Sequence, residues 1–317
     1  MKITPSCARM DAACACFAGL TLLPMPIFFA FITMLCYGTD ILLVRKGLIK
    51  SPNAAVAAFI TLSVNACFFL IYVLITEPLA SIRLETIYYF IIAGVMAPGL
   101  ARVFNYKAVQ KVGVSLTAPI VNSEILIAVA MAVIILNEPM NVTIGTGVLS
   151  VVGGLAILGR ESGKKPGEQT RKIRYRYLVY PFVASFLYGS SIFLRKLGLN
   201  NYGSPVVGAL VTSGTSWLVM LFTLVASRNL AGVTKVKKES LPYFILGGCL
   251  TSIGWYALFN ALHIGRVGIV TPIAVSYSLV TMSFSYFFLR DVEIVNKWVV
   301  CGTLFVVGGI LLLCLGT

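Results

Sequence analysis

Ten apolar stretches, each close to the roughly 20 residues that a helix needs to cross a bilayer, follow one another along this chain with only short polar connectors between them. They run Pro26–Val44, Ala54–Ile75, Ile87–Tyr106, Val114–Leu136, Val142–Leu158, Tyr177–Leu194, Val206–Ala226, Tyr243–Leu262, Ile269–Leu289 and Trp298–Leu315. Water is the wrong solvent for such a chain. Of its 317 residues 58% are hydrophobic and 11% charged, and mean hydropathy is +0.93, whereas soluble domains are about one quarter charged. A membrane β-barrel needs period-2 alternation, and a run such as Ile125–Leu136 shows none. The expected fold class is therefore an all-α integral membrane protein with ten transmembrane helices.

The net charge of +14 would point to nucleic acid in a soluble protein, but here the basic residues cluster in connectors beside apolar spans, where they set topology. Connectors after the odd-numbered spans hold eighteen Lys and Arg, against six on the other side. Seven of the eighteen lie in Gly159–Arg176. The positive-inside rule puts this loop in the cytoplasm and both termini outside. Five of eight cysteines fall inside spans as small apolar fillers, no CxxC occurs and there is one histidine, so neither zinc nor a disulfide framework is indicated and no cofactor is expected. Residues 1–25 read as a leader or disordered N-terminus, with Met25 as a second candidate start.

The chain repeats itself. Tyr37-Gly38 recurs as Tyr188-Gly189, Phe104-Asn105 as Phe259-Asn260, Val112-Gly113 as Val267-Gly268, and Pro119-Ile120 as Pro272-Ile273. Glu138 returns as Asp291, and Val151-Val152-Gly153-Gly154 as Val306-Val307-Gly308-Gly309, always 151 to 155 residues apart. The expected organisation is thus a first five-helix unit over residues 26–159, a basic linker over 160–176 and a second unit over 177–317. Because five is odd, the second copy enters the membrane from the opposite face, which makes the units inverted repeats.

These motifs resemble the drug/metabolite transporter superfamily, in particular its ten-helix proteins built from two EamA-type units. The matching features are the aromatic-Gly pairs Tyr37-Gly38 and Tyr188-Gly189, the prolines Pro119 and Pro272, and the acidic ends of the fourth helices, Glu138 and Asp291. Each is followed by a glycine-rich final helix, with Gly145 to Gly154 and Gly302 to Gly309. The resemblance covers about residues 26–316. It implies a secondary transporter, often an exporter of amino acids or related metabolites, with a central cavity and no catalytic residues. Tyr-Gly replaces the commoner Trp-Gly, and Asp291 the commoner Glu. The resemblance also implies cytoplasmic termini, against the charge count, which reads these residues directly and is followed here.

A charge inside hydrocarbon costs about 2.5–3.5 kcal/mol on insertion scales, so it needs a partner or a cavity. Asp40, Arg102 and Glu124 qualify, all in the first unit. Arg102 and Glu124 stand roughly 15–17 Å from the turn that joins their helices, at matching depth. They are candidates either for a structural ion pair or for the charged part of a substrate site, with protons as a coupling ion through Glu124. Asp40, near its helix end, is expected to find an interfacial partner such as Arg45.

Tyr37, Tyr188 and Tyr277 are candidate cavity-lining hydroxyls or packing aromatics, and Asn105 and Asn260 are candidates for interhelical hydrogen bonds or the cavity wall. Pro119 and Pro272 mark expected helix breaks, with Ser115, Thr117 and Thr271 near enough to satisfy the freed carbonyls. The expected partners are a small-molecule substrate and the lipid bilayer. A channel or receptor is the second reading, distinguished by linear flux without saturation. An intramembrane enzyme is a third, but HExxH is absent and no activated turn surrounds Ser216, the serine that His263 would have to serve.

Overall fold

The computed structural model describes residues 24–76, 84–112, 114–162, 175–202, 204–228, 231–281 and 297–316. Helices α1 (Met25–Lys50) and α2 (Ala54–Thr76) lead into a broken α3, made of Leu84–Gly94, a π-turn Val95–Leu100 and Ala101–Val112. Helix α4 is also in two pieces, Val114–Asn122 and Glu124–Leu136, and α5 (Val142–Ser162) closes the first unit. The second holds α6 (Val179–Tyr202), α7 (Pro205–Ala226), α8 (Leu241–Ile264), α9 (described over Val267–Thr281) and α10 (Lys297–Leu315). Nine of these are long and apolar enough to cross a membrane, and α9 is apolar over its described part. This is the expected all-α membrane architecture. Asp291 and most of the basic loop lie outside the described residues.

The packing of α5 on α10 fixes how the units are related. A methyl placed on Gly154 would lie 2.7 Å from the Gly302 carbonyl oxygen, and one on Gly309 would lie 2.8 Å from that of Gly147. Gly147 thus meets Gly309 while Gly154 meets Gly302. Since Gly154 and Gly309 are repeat equivalents, these helices cross antiparallel, and the twofold relating the units is perpendicular to them, in the membrane plane. The inverted repeat follows. Gly147, rather than Gly145, makes the close approach; a methyl on Gly145 would meet only the Met140 methyl at 3.6 Å. Side chains absent at such positions let backbones touch, which is how helices gain contact where lipid removes the hydrophobic drive.

Across the rest of the interface α1 packs on α8 and α9, while α6 packs on α3 and α4, an exchange consistent with the same axis. Polar hydroxyls reinforce it. Trp217 Nε1 donates to Ser63 Oγ at 2.8 Å, joining α7 to α2.

Candidate functional site

Both fourth helices break, though not at their prolines. In each the turn falls four residues later, at Ser123 and Ser276. Ser123 Oγ donates to the Ile120 carbonyl at 2.6 Å and Ser276 Oγ to the Pro272 carbonyl at 2.6 Å. Their backbone N–H groups turn to the i−3 carbonyls of Ile120 and Ile273. A serine hydroxyl that takes up a helix carbonyl competes with the helix ladder, and a proline one turn upstream has already removed one rung. The hydroxyls of Thr117 and Thr271, expected to heal the ladder, are buried and unpartnered instead.

The residue after each break is functionally suggestive: Glu124 in α4 and Tyr277 in α9 open the second pieces. Each faces the aromatic-Gly pair of the other unit. A methyl on Gly38 would lie 2.9 Å from the Tyr277 carbonyl oxygen, and one on Gly189 would lie 2.6 Å from that of Glu124. Only glycine allows α1 and α6 so close to these turns, and the preceding tyrosines are carried into the centre as a result. The Tyr37 and Tyr277 rings meet edge-on, 6.1 Å apart.

Charged groups gather on this frame. Arg102 lies within hydrogen-bonding reach of the Tyr188 hydroxyl, and the acid acting on it is Asp40. The cation acting on Glu124 is Arg195. Tyr37, Tyr188 and Tyr277 all feel these charges. Five of the seven binding residues expected from sequence, Tyr37, Arg102, Glu124, Tyr188 and Tyr277, therefore stand together. Arg102 and Glu124 do not form an ion pair with each other. Each is matched to a different partner.

Asp40 departs from expectation as well. Its carboxylate turns inward on α8, where a methyl on Gly247 would lie 2.5 Å from Oδ1, and it faces Thr251. Its repeat equivalent, Ser191, makes the matching approach to α3, donating to the carbonyls of Ala93 at 2.9 Å and Ala97 at 3.3 Å. Asn105 follows Arg102 by one turn of α3 and is half-buried. Asn260 donates to the Tyr256 carbonyl of its own helix at 2.8 Å, and Tyr256 packs on Tyr72 of α2.

Arg195 is the charged member of this cluster that sequence reasoning missed. Span six continues to Tyr202, so Arg195 and Lys196, counted above as connector residues, lie within α6 and are buried. Arg195 donates to the Ala97 carbonyl at 2.7 Å and stacks over Trp255 and Phe259 at 4.8 and 5.6 Å. Ala97 sits at the break in α3 with extended φ and ψ of −149° and 132°, and Pro98 follows it. Second-unit side chains cover the carbonyls that this break exposes, because Ser216 Oγ also reaches the Gly94 carbonyl at 2.9 Å. Ser216 is thus a packing hydroxyl. A signal was available: Leu194, Leu197 and Leu199 keep the apolar face of α6 running past the Arg-Lys pair.

Two inverted five-helix units meeting at a polar centre define a multi-pass membrane protein of the transporter class. The particular family follows from sequence: the model of the EamA-like transporter family matches residues 24–160 and again 176–315, and the chain belongs to that family. A crystal structure described only as that of a protein shares the fold, with a TM-score of 0.71 at 11% identity over 90% of this chain and 95% of that one. No curated protein matches the sequence. As a family member the chain is a membrane transporter of small molecules.

Proposed function

We propose that this chain is a secondary transporter, an exporter or exchanger, of a small metabolite bearing both an amine and an acid, such as an amino acid or a related compound. It works by alternating access around the cluster of Asp40, Arg102, Glu124 and Arg195. The observation that carries this reading is the convergence of two arginines, two carboxylates and three tyrosines at the junction of the units, where α3, α4 and α9 are broken. Broken helices at corresponding places in two inverted repeats are where secondary carriers bind their solutes. Arg102 and the tyrosine hydroxyls suit a carboxylate, and Glu124 suits an ammonium group or a proton. Competition between these two for Glu124 is a direct route to proton coupling.

Exchange of labelled amino acids by purified protein in proteoliposomes is the test. Arg102→Gln and Glu124→Gln are expected to fold and insert yet lose at least about tenfold in rate, as expected for removal of one charged hydrogen-bonding partner. Saturation by unlabelled solute separates a carrier from a channel. Parental rates in both variants, maintained across the range in which a buried carboxyl titrates, would remove them from the site.

The orientation we propose places the basic loop of residues 160–176 in the cytoplasm of a cell whose plasma membrane holds the protein. A cysteine at position 167 is expected to resist an impermeant reagent in intact cells and to react after permeabilisation. Ready reaction in intact cells would reverse the topology.

A further inference from the structure

At one end of the bundle two charged residues outside the central cluster bind the α8–α9 turn from either side. This is the end where α4, α6 and α8 finish and α9 begins. Every residue from Val267 to Ser276 of α9 is buried, packed on Ile125, Ala128, Val129 and Ala132 of α4. Above this apolar plug lies the α8–α9 turn at Gly265-Arg266. Glu138, which follows the end of α4, reaches across from the first unit: its Oε1 accepts from the Val267 N–H at 3.0 Å and its Oε2 from the Gly268 N–H at 3.3 Å. On the other flank Lys196 of α6 donates to the carbonyls of Leu262 at 2.8 Å and Gly265 at 2.9 Å. Glu138 also acts electrostatically on this ammonium group.

The pair fits the turn by simple electrostatics. The end of α8 presents orphan carbonyls and the start of α9 presents orphan N–H groups, so a cation on the first and an anion on the second satisfy both helix ends. The site takes part as well, since Lys196 is the next residue after Arg195. At the opposite end of the bundle the repeat register gives Arg45 in place of Lys196, and Arg45 is exposed where Lys196 is 9% exposed. Equivalent positions thus occupy different environments at the two ends.

We infer that Glu138 and Lys196 form a charged latch that keeps the α8–α9 turn closed over one end of the site, and that releasing it is a required step for solute to pass that end. This rests on the alternating-access reading above. The arrangement gives the latch a direct link to the site, because α6 carries Arg195 against Glu124 and Lys196 against the turn. A movement of α6 that follows the state of Glu124 also pulls on the carbonyls of α8.

The test is the accessibility of a cysteine placed behind the latch. Val129 is 4% exposed and lines the cleft beneath Glu138 and Gly268, so Val129→Cys reports opening of this end. Val56, fully buried at the opposite end of α2, supplies the control as Val56→Cys. Labelling by a small maleimide is followed residue by residue with mass spectrometry in purified full-length protein. Glu138→Gln and Lys196→Met are each expected to speed labelling at position 129 by roughly tenfold or more, the effect of losing a charge-assisted hydrogen bond, without change at position 56. Lys196→Arg, which keeps the donors and the charge, is expected to label at close to the parental rate. Parental labelling at 129 in folded Glu138→Gln protein overturns the latch. Equal acceleration at 129 and 56 also overturns it, since simple helix caps loosen the whole fold. Should Lys196→Met fail to accumulate, Glu138→Gln, which preserves side-chain volume, decides alone. Solute exchange on the same preparations separates the two readings. Faster labelling in a protein that exchanges nothing keeps the latch and removes the carrier; unchanged labelling beside parental exchange removes the latch and keeps the carrier.

Discussion

Arg195→Met is expected to be the most damaging single substitution in this chain, lowering stability by about 3–5 kcal/mol, the range found when one member of a buried charged set is removed. Methionine nearly matches the aliphatic length and can still lie on Trp255 and Phe259, so the loss isolates the charge. Two groups lose a partner by it, the Ala97 carbonyl keeping only the longer bond from Ser191 at 3.3 Å. The Ala97 carbonyl, exposed by the break in α3, loses the donor now 2.7 Å away, and Glu124 loses the cation that acts on it. Glu124→Gln is expected to cost far less, because Arg195 keeps a carbonyl and two aromatic faces when the acid is removed. The check is thermal melting of purified protein together with the amount that reaches the membrane. In the double variant, Glu124→Gln should recover part of the loss caused by Arg195→Met. Strict additivity would mean that the two charges are not matched to each other.

The second large effect is expected at the α5–α10 crossing. Gly154→Val and Gly309→Val should each sharply lower the yield of folded protein, because the added carbons meet backbone as well as the short side chains of Val306 and Val151. They meet the carbonyls of Gly302 and Gly147 and the backbone nitrogens of Val306 and Val151, all within 3 Å of a first added carbon. Overpacking typically costs about 1–3 kcal/mol, and backbone obstruction belongs at the upper end of that range. The adjacent glycines give an internal control. A methyl on Gly153 or Gly308 would meet nothing within 4 Å, so Gly153→Val and Gly308→Val should be nearly silent. Expression and monodispersity of the four variants measure this. Equal behaviour within each Gly-Gly pair would contradict the crossing.

Much of this was legible before any coordinates. Apolar runs of bilayer length gave the helices, and the ordered duplicates gave the inverted repeat, because both are long-range regularities that tolerate errors of a few residues at each boundary. The three tyrosines were legible from the repeat, since Tyr37 and Tyr188 recur in register and Tyr277 stands at the repeat position of Glu124. Pairing was not. Distance along a helix says nothing about rotation around its axis, and Arg102 turns to Tyr188 while the cation acting on Glu124 is Arg195. Arg195 escaped notice through the cut-off of its span: a charge near the end of an apolar run looks like a connector until the helix is seen to continue. The helix breaks were displaced for a local reason, because proline only weakens the ladder and the serine one turn later decides where it parts.

The break in α3 measures how far the two units have diverged. Were the two units identical, each would present α1 to the other's α3, as α6 meets α3 here. In this chain the α3 carbonyls at Ala93 and Ala97 are met by Ser191 and Arg195 of α6. The repeat register places Asp40 and Val44 of α1 where those residues stand. A pair of first units would therefore set a carboxylate, which donates nothing, and an isopropyl group against carbonyls that require donors. The broken helix of the first unit is thus completed by donors that the second unit carries and the first, at the equivalent positions, lacks, so the two units are no longer interchangeable at this contact.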